Sequence, residues 1–264
     1  MSDPGRQSHV RLTDLTVTYP VDGREFTAVD RVSLEIGAGE FVAVLGPSGC
    51  GKSTILRVLA GLRSPSGGTA AIGGAVIDGP RRDVGVVFQD PTLLPWKTIF
   101  ENVCLPGVIM GLDRKLVADR ARHLLELSGL SAFHNHYPDQ LSGGMRQRVG
   151  IARSLVHDPS VLLMDEPFGA LDAMTRERMN LEIQRIWAEG RKTVFFITHS
   201  IPEAVLLGDR IVVFASRPGR IVEDMRNDLP RPRSLDVMSS PAFIERAAHL
   251  RDLFNVAAAP NGHV

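Results

Sequence analysis

The sequence predicts an α/β protein built on a mostly parallel sheet, with an N-terminal antiparallel β subdomain and an inserted helical subdomain. A short buried strand at residues 41–45 leads through a glycine-rich turn into an apolar helix at residues 52–59. A second apolar run, residues 161–164, begins another alternation of strand and helix. Because strands that alternate with helices indicate parallel pairing, the mostly helical residues 99–157 between them are predicted to be an insertion.

Composition limits the classes of protein that this chain can represent. Its 264 residues are 44% hydrophobic and 23% charged, which supports a soluble globular chain with a sizeable core. A formal net charge of zero gives no electrostatic reason to expect nucleic-acid binding. The two cysteines, Cys50 and Cys104, favour a reducing compartment. Without a membrane-spanning run or a secretory segment, any membrane association is expected to come through a protein partner.

The N-terminal part is predicted to be rich in strands, after loose residues 1–8 and with a turn at Asp22-Gly23. Its predicted strands are residues 10–19, 28–36, 41–45, a short pair around the glycines at 67–68 and 73–74, and 84–88. In the helical stretch, Asp113 is expected to cap a helix that has Val117, Ala121, Leu124 and Leu125 on one face and that ends at Gly129.

The C-terminal part returns to the parallel pattern. Its predicted elements are a strand at 161–164, a helix at 173–189, and strands at 193–197, 211–215 and 220–224. Ser240 and Pro241 are typical of the first positions of a helix, which would carry Phe243, Ala247, Leu250 and Phe254 on one stripe. Residues 1–264 are interpreted as one domain: a core of 9–89 and 159–225, a helical subdomain of 90–158 and a helical tail of 226–264.

Residues 46–54 fit the phosphate-binding pattern G-x-x-x-x-G-K-[ST]. Glycines let successive N–H groups form an anion nest, and the helix N-terminus adds its positive dipole end. Lys52 is expected to contact the β- and γ-phosphates, and Ser53 to offer its hydroxyl to Mg²⁺. A chance glycine turn is the alternative, and the flanking strand and helix argue against it. The predicted nucleotide-binding residues here are Gly46, Pro47, Ser48, Gly49, Cys50, Gly51, Lys52, Ser53 and Thr54.

Two carboxylates, Asp165 and Glu166, follow the apolar strand at 161–164. Ligands of open α/β sheets bind at the carboxyl ends of the strands. Asp165 is therefore expected to hold Mg²⁺ through water, and Glu166 to polarise the attacking water as general base. A surface acidic pair that caps the next helix is the alternative.

A second anion-binding helix start is predicted at Ser142, Gly143 and Gly144, ahead of Arg146 and Arg148. One chain has one phosphate loop, so two anion sites suggest a dimer in which Ser142 of one subunit closes on the γ-phosphate held by the other. Simple capping of the helix by Ser142 is the alternative.

These motifs together resemble the ATP-binding subunit of an ABC transporter, a protein with a P-loop NTPase core. Residues 141–145 match the LSGGQ signature of that family, with Met145 in place of the usual glutamine. The match covers about residues 10–225, and its motifs occur in the family's order. The resemblance implies an ATPase that uses ATP and Mg²⁺.

Further roles come from the resemblance alone. Tyr19 stands where the family has an aromatic ring that stacks on adenine, although packing would also explain a strand tyrosine. Gln89 corresponds to the Q-loop glutamine, which contacts Mg²⁺ or water and senses the transmembrane partner. Asp172 belongs to a D-loop at residues 169–172 and would cross the dimer interface; the family usually has serine at position 169, where this chain has glycine. His199 corresponds to the switch histidine, which touches the γ-phosphate and orients the attacking water.

Two finer features resemble the importer branch that serves nitrate, sulfonates, taurine and related small compounds. They are residues 93–96, which end in Trp96, and a late hairpin at residues 216–221. Packing of Trp96 and a type II turn at Pro218-Gly219 are the alternatives. The tail after Pro230 is expected to be too short for the regulatory domain of sugar-importing relatives.

The resemblance implies an import ATPase at the cytoplasmic face of the membrane, in which two copies bind ATP, close head to tail, hydrolyse and reopen. Its expected partners are a second copy, permease subunits docked around residues 89–110 and, indirectly, an extracytoplasmic solute-binding protein; nucleic acid is not expected. A soluble ABC-type ATPase of DNA repair or translation is one alternative, disfavoured because the chain has no coiled-coil insertion or second cassette. A non-hydrolysing regulatory cassette is another, disfavoured by Glu166, Gln89 and His199.

Overall fold

The computed structural model describes residues 8–21, 23–169, 171–216 and 218–258. Predictions for residues 1–7, Asp22, Ala170, Arg217 and residues 259–264 of the predicted tail therefore lie outside the described residues. The strands are β1 Ser8–Val21, β2 Arg24–Gly37, β3 Phe41–Leu45, β4 Gly67–Ile72, β5 Ala75–Val76, β6 Val84–Val87, β7 Val161–Asp165, β8 Thr193–Ile197, β9 Arg210–Ala215 and β10 Arg220–Arg226. The α-helices are α1 Lys52–Leu59, α2 Ile99–Ile109, α3 Arg114–Leu127, α4 Gly143–Leu155, α5 Ala173–Gly190, α6 Ile201–Leu207 and α7 Pro241–Ala258.

The predicted elements are confirmed, and the largest difference in bounds is at β2, which begins at Arg24 rather than at residue 28. Helix α6 was not predicted. Its residues from Glu203 to Leu207 are all buried, so no amphipathic period marks it in the sequence. The available signal was Ser200 followed by Pro202 and Glu203, since the Ser200 side chain accepts a hydrogen bond from the Glu203 amide.

Two compact units divide the chain. One contains the described residues up to Arg81 and from Arg191 onward, and the other contains residues 82–190. The predicted bounds of the helical subdomain and the tail stay a prediction. No helix in the described parts of either unit combines the length and the apolar character needed to cross a membrane.

In the first unit, an antiparallel sheet has the strand order β2-β1-β4-β5. Leu12, Leu15 and Val17 of β1 are buried, and the spacing between the first two is three residues rather than two. Asp14 has a φ of +46° at this point, where the register with β2 also shifts. This irregularity explains why the alternation of β1 is only loose in the sequence.

The second sheet of this unit has the order β10-β9-β3-β8. Strands β8, β3 and β9 are parallel, and every residue of β3 and β8 is buried. Burial of whole strands is the pattern of a parallel sheet covered on both faces. Strand β10 is antiparallel to β9 and half exposed, which suits an edge.

In the second unit, β6 and β7 pair in parallel, and α2, α3 and α4 enclose an apolar core. Thr98 and Glu101 form a capping box at α2, the Asp113 carboxylate accepts from the Leu116 amide at 2.8 Å, and Gly129, with φ +65°, follows α3. The buried core residues are Ile99, Val103, Val117, Ala121, Leu125, Leu130, Leu141, Val149, Ala152 and Val156. The predicted face of α3 is therefore the one that packs inward.

The C-terminal segment is attached to α6 by a buried guanidinium. Arg233 is 2% exposed, and its Nη1 donates to the carbonyls of Val205, Leu206 and Gly208 at 2.8–3.1 Å. Its Nη2 donates to the carbonyls of Asn227 and Leu229. Burial lowers the pKa of Arg233 to about 10, so the side chain remains charged at neutral pH. The tail thus supplies the donors that the last carbonyls of α6 lack.

Arg233→Met should lower the free energy of unfolding by about 3 kcal/mol or more, because it removes the Arg233 donor from the carbonyls of Leu206, Asn227 and Leu229. The carbonyls of Val205 and Gly208 would keep Asn227 Nδ2 as a donor. Urea denaturation followed by circular dichroism measures this. The exposed Arg226 provides a matched control, since Arg226→Met should change stability by less than about 0.5 kcal/mol. Equal denaturation midpoints for the two variants would contradict the role of Arg233.

Candidate nucleotide site

The phosphate loop lies between β3 and α1, and its shape depends on glycine. Gly49 and Gly51 have φ values of +78° and +89°. A Cβ on Gly51 would lie 2.7 Å from the Ala28 carbonyl oxygen and from a Val29 methyl group. Only glycine combines that dihedral angle with that close packing. The glycines of the motif therefore stand where the backbone conformation disfavours any other residue.

The ammonium group of Lys52 lies inside this loop. Lys52 is 5% exposed, and its Nζ donates to the carbonyl oxygens of Gly46 at 2.7 Å and Pro47 at 2.8 Å. A buried charge requires such acceptors. Ser53 and Thr54 follow, half-buried, in the first turn of α1. The loop thus contains a fixed positive charge beside a helix N-terminus, which is the combination that attracts phosphate.

Cys50 supplies a small buried side chain to the loop. Its Sγ lies 3.4 Å from Lys52 Nζ and is fully buried. Burial raises the pKa of the Cys50 thiol, although Lys52 acts in the opposite direction. A redox switch at this position would need a thiol with a lowered pKa, and burial acts in the opposite direction.

Tyr19 lies beside the last residue of the phosphate loop, and its stacking on adenine stays a prediction. Its hydroxyl is 3.3 Å from Thr54 Oγ1. The guanidinium carbon of Arg63 lies 3.8 Å from the centroid of the Tyr19 ring. Sequence reasoning missed Arg63, because no pattern connects a residue just after α1 to a residue of β1.

His199 follows β8 at the same edge of the sheet as the phosphate loop. Val44 of β3 pairs with Ile197 of β8, so Gly46 and His199 each lie two residues beyond this pair. The exposed His199 stands between Thr198 and Ser200, which are held by hydrogen bonds. Thr198 Oγ1 donates to Glu203 Oε2 at 2.6 Å and accepts from the Ser200 amide at 3.0 Å. The buried Glu203 therefore fixes the backbone on both sides of the histidine.

The late hairpin packs against the phosphate loop through Gly219. The Gly219 amide donates to the Ala28 carbonyl at 3.0 Å, and its own carbonyl accepts from the Asp30 amide at 3.1 Å. A Cβ on Gly219 would lie 2.2 Å from the carbonyl oxygen of Cys50. Gly219 does not have the positive φ that a type II turn requires of its second central residue. Close approach of backbones, and not turn type, thus explains this glycine.

In the second unit, Asp165 and Glu166 lie at the carboxyl end of β7. Asp165 is the last residue of the strand, and Glu166 has a φ of +46°. A left-handed conformation costs a non-glycine residue free energy, and such strain is concentrated at functional sites. Val87 of β6 pairs with Met164, so Gln89 and Glu166 each lie two residues beyond that pair. The parallel register therefore brings these two predicted residues to one edge.

The segment around Gln89 is held by side chains of α4. Gln147 Nε2 donates to the Phe88 carbonyl at 3.2 Å. Arg153 donates to the Pro91 carbonyl at 2.6 Å and to the Thr92 carbonyl at 3.1 Å, and burial lowers the pKa of this arginine. The same helix begins at the signature residues, so α4 connects the two motifs. The sequence contained no signal for this connection.

Ser142 and Asp172 are exposed and cap helices. Ser142 Oγ accepts from the Met145 amide at 3.3 Å, and Asp172 Oδ1 accepts from the Thr175 amide at 3.0 Å. The Thr175 amide also lowers the pKa of Asp172. Capping is thus present at both places, and the predicted contacts of Ser142, Gly143, Gly144 and Asp172 with nucleotide stay predictions. Met145 packs on the core of the helical stretch, which explains an apolar residue in place of glutamine.

The predicted donors for Mg²⁺ are the Ser53 hydroxyl, the Gln89 amide and the Asp165 carboxylate. All three offer oxygen atoms, and Mg²⁺ prefers oxygen ligands. The donor set thus fits the metal chemically.

Known proteins resemble this chain in sequence and structure. The family model for ABC transporter matches residues 29–169. An uncharacterised ABC transporter ATP-binding protein of Methanocaldococcus jannaschii is 47% identical over 224 residues, covering 85% of this chain and 84% of the relative. The taurine import ATP-binding protein TauB of Burkholderia pseudomallei is 46% identical over 236 residues, covering 88% of this chain and 91% of TauB.

A solved dimeric structure of an ATP-binding cassette, in a post-hydrolysis state bound to ADP and Pi, matches with a TM-score of 0.77. It is 35% identical, and the match covers 84% of this chain and 100% of that chain. The likeness confirms the predicted fold class and the predicted family.

Gly219→Ala should destabilise the first unit and weaken nucleotide binding, because the added methyl group would press on the Cys50 carbonyl of the phosphate loop. Overpacking of this kind costs about 1–3 kcal/mol, measurable as a lower thermal midpoint. Gly79→Ala is the matched control, since a Cβ there has nothing within 4 Å. The explanation fails if both variants melt and bind ATP alike.

Proposed function

We propose that this chain, which belongs to the ABC transporter family, energises the import of a small solute. The proposed solute is nitrate, a sulfonate, taurine or a similar compound. As a member of that family the chain binds ATP and is an ATPase that drives transport. The observation that carries the solute class is the similarity to relatives named taurine import ATP-binding protein, at 46% identity in Burkholderia pseudomallei and Rhizobium johnstonii. Residues 93–96 and the late hairpin support the same branch.

In the proposed site, the phosphate loop and Lys52 bind the phosphates, and Tyr19 stacks on adenine. Ser53 and Gln89, with Asp165 through water, would hold Mg²⁺, which would supply charge neutralisation at the phosphates. Glu166 accepts the proton of the attacking water, and His199 orients that water against the γ-phosphate. The strained backbone of Glu166 and the two hydrogen-bonded neighbours of His199 support these roles, because catalysis by positioning requires fixed side chains.

The proposed unit of activity is a head-to-tail dimer with a second copy. Ser142, Gly143, Gly144 and Asp172 would contact the nucleotide bound by the other copy. Support comes from the exposure of Ser142 and Asp172 at helix N-termini and from the dimeric state of the similar solved cassette. A charged ligand shared by two copies would make dimerisation depend on ATP.

The proposed membrane partner is a permease that docks around residues 89–110. Trp96, Val108 and Ile109 are 71%, 59% and 72% exposed, so packing within the chain does not account for them. The packing alternative for Trp96 is therefore wrong. We place the chain at the cytoplasmic face of the membrane, bound to the permease, with a solute-binding protein on the other side.

Uptake by the reconstituted complex tests the solute class. Proteoliposomes that contain the permease and this chain, supplied with the solute-binding protein, should accumulate labelled taurine, an alkanesulfonate or nitrate when Mg-ATP is inside. Maltose provides the negative control. Stimulation of ATP hydrolysis by DNA or ribosomes, with no uptake of any solute, would instead favour the soluble ATPase alternative.

Glu166→Gln should reduce the rate of ATP hydrolysis about 10²- to 10⁴-fold, because the amide preserves the shape of the side chain but cannot accept a proton. ATP binding should survive, so this variant is expected to remain a dimer in Mg-ATP by size-exclusion chromatography with light scattering. Wild type should return to monomer as ATP is consumed.

Two variants control this experiment. Lys52→Ala removes a charge-assisted contact of roughly 1.5–3 kcal/mol and should abolish both hydrolysis and the ATP-dependent dimer. Glu177→Gln changes an exposed carboxylate of α5 and should behave as wild type. Wild-type turnover by Glu166→Gln would rule out Glu166 as the base.

A further inference from the structure

The Tyr19 ring is held at two points. Its hydroxyl lies 3.3 Å from Thr54 Oγ1, near the start of α1. Its face lies against the guanidinium of Arg63, whose Nη2 donates to the Thr18 carbonyl at 2.7 Å. The cation is therefore tied to the backbone of β1 directly before the tyrosine. Both rotation and tilt of the ring are restricted as a result.

The chain after α1 gives Arg63 a defined starting position. The Gly61 amide donates to the Val58 carbonyl at 3.0 Å, and the Leu62 amide donates to the Arg57 carbonyl at 2.9 Å. Gly61 has a φ of +70°, and a Cβ there would lie 2.0 Å from the Gly79 carbonyl. Arg63 thus extends from a tightly closed helix end, and the same short helix carries the phosphate loop at its other end.

We infer that Arg63 is a positioning residue for the adenine of ATP, acting through Tyr19. A flat ring has two faces, and Arg63 covers one of them at 3.8 Å. A base can therefore stack only on the opposite face. The guanidinium holds the ring in place before the nucleotide arrives, so less side-chain entropy is lost on binding. This inference rests on the proposed nucleotide site and adds to it a residue that sets how strongly the base is bound.

Two probes separate this role from a general effect of charge. Mg-ATP has a base that can stack, whereas Mg-tripolyphosphate has the same phosphate chemistry and no base. Arg63→Ala should raise the dissociation constant for Mg-ATP about two- to fivefold, on the scale of an exposed cation–π pair, and leave that for Mg-tripolyphosphate unchanged. Arg63→Lys should fall between Arg63→Ala and wild type, because a lysine keeps the charge without the flat fork. Arg24→Ala, on the exposed tip of the same hairpin, should bind both probes as wild type does.

A double-mutant cycle measures the dependence on Tyr19. In a Tyr19→Ala background, Arg63→Ala should add no further loss of ATP affinity, because the ring through which it acts is gone. Isothermal titration calorimetry gives the four dissociation constants, and thermal midpoints identify any variant that fails to fold. If Arg63→Ala does not fold, Arg63→Met, which keeps the aliphatic stem, takes its place in the cycle.

Three results would overturn the inference: unchanged ATP affinity in Arg63→Ala, equal losses for both probes, or additive losses in the cycle. If wild type binds both probes, each of these results contradicts only the role of Arg63 and is consistent with the proposed nucleotide site. If wild type binds neither probe, the proposed site is wrong and the role of Arg63 is wrong with it.

Discussion

The buried ammonium group of Lys52 is the interaction on which the nucleotide site depends. It is satisfied by the carbonyls of Gly46 and Pro47, and these can converge on it only because the loop turns through glycines with positive φ. That turn leaves no space for a Cβ at Gly51 or Gly219, so β2 and the late hairpin pack directly on the loop. A charge that must be paired thus determines how closely the surrounding backbones approach.

Two buried side chains, Glu203 and Arg233, fix helix α6 and the residues before it. Glu203 is buried at the first turn of α6 and fixes Thr198, next to His199. Arg233 occupies the other end of α6, where it binds the last carbonyls of the helix. A short helix with little intrinsic stability is thereby held at both ends. The position of His199 consequently depends on a residue from the C-terminal segment, far away in the sequence.

In the second unit, α4 has the corresponding role. Its first turn contains the signature residues, and its Gln147 and Arg153 hold the carbonyls of Phe88, Pro91 and Thr92 around Gln89. Two motifs that are more than fifty residues apart in the sequence are therefore connected through one helix. A movement of the signature residues with α4 would carry the Gln89 segment with it, since the half-buried Arg153 and the buried Gln147 both donate to carbonyls of that segment.

The sequence by itself determined those features that have a local cause. The phosphate loop, the strands at 41–45 and 193–197, the cap at Asp113 and the final helix at Ser240 each have their signal within a few residues, because φ, capping and burial period are local properties. Only the tertiary structure decided the rest. Arg63 on Tyr19, Gly219 on Cys50, and Arg233 on α6 join residues distant in the chain, and Met145 is apolar because of the core beneath it. Such contacts have no sequence period, since they exist only after the elements have packed.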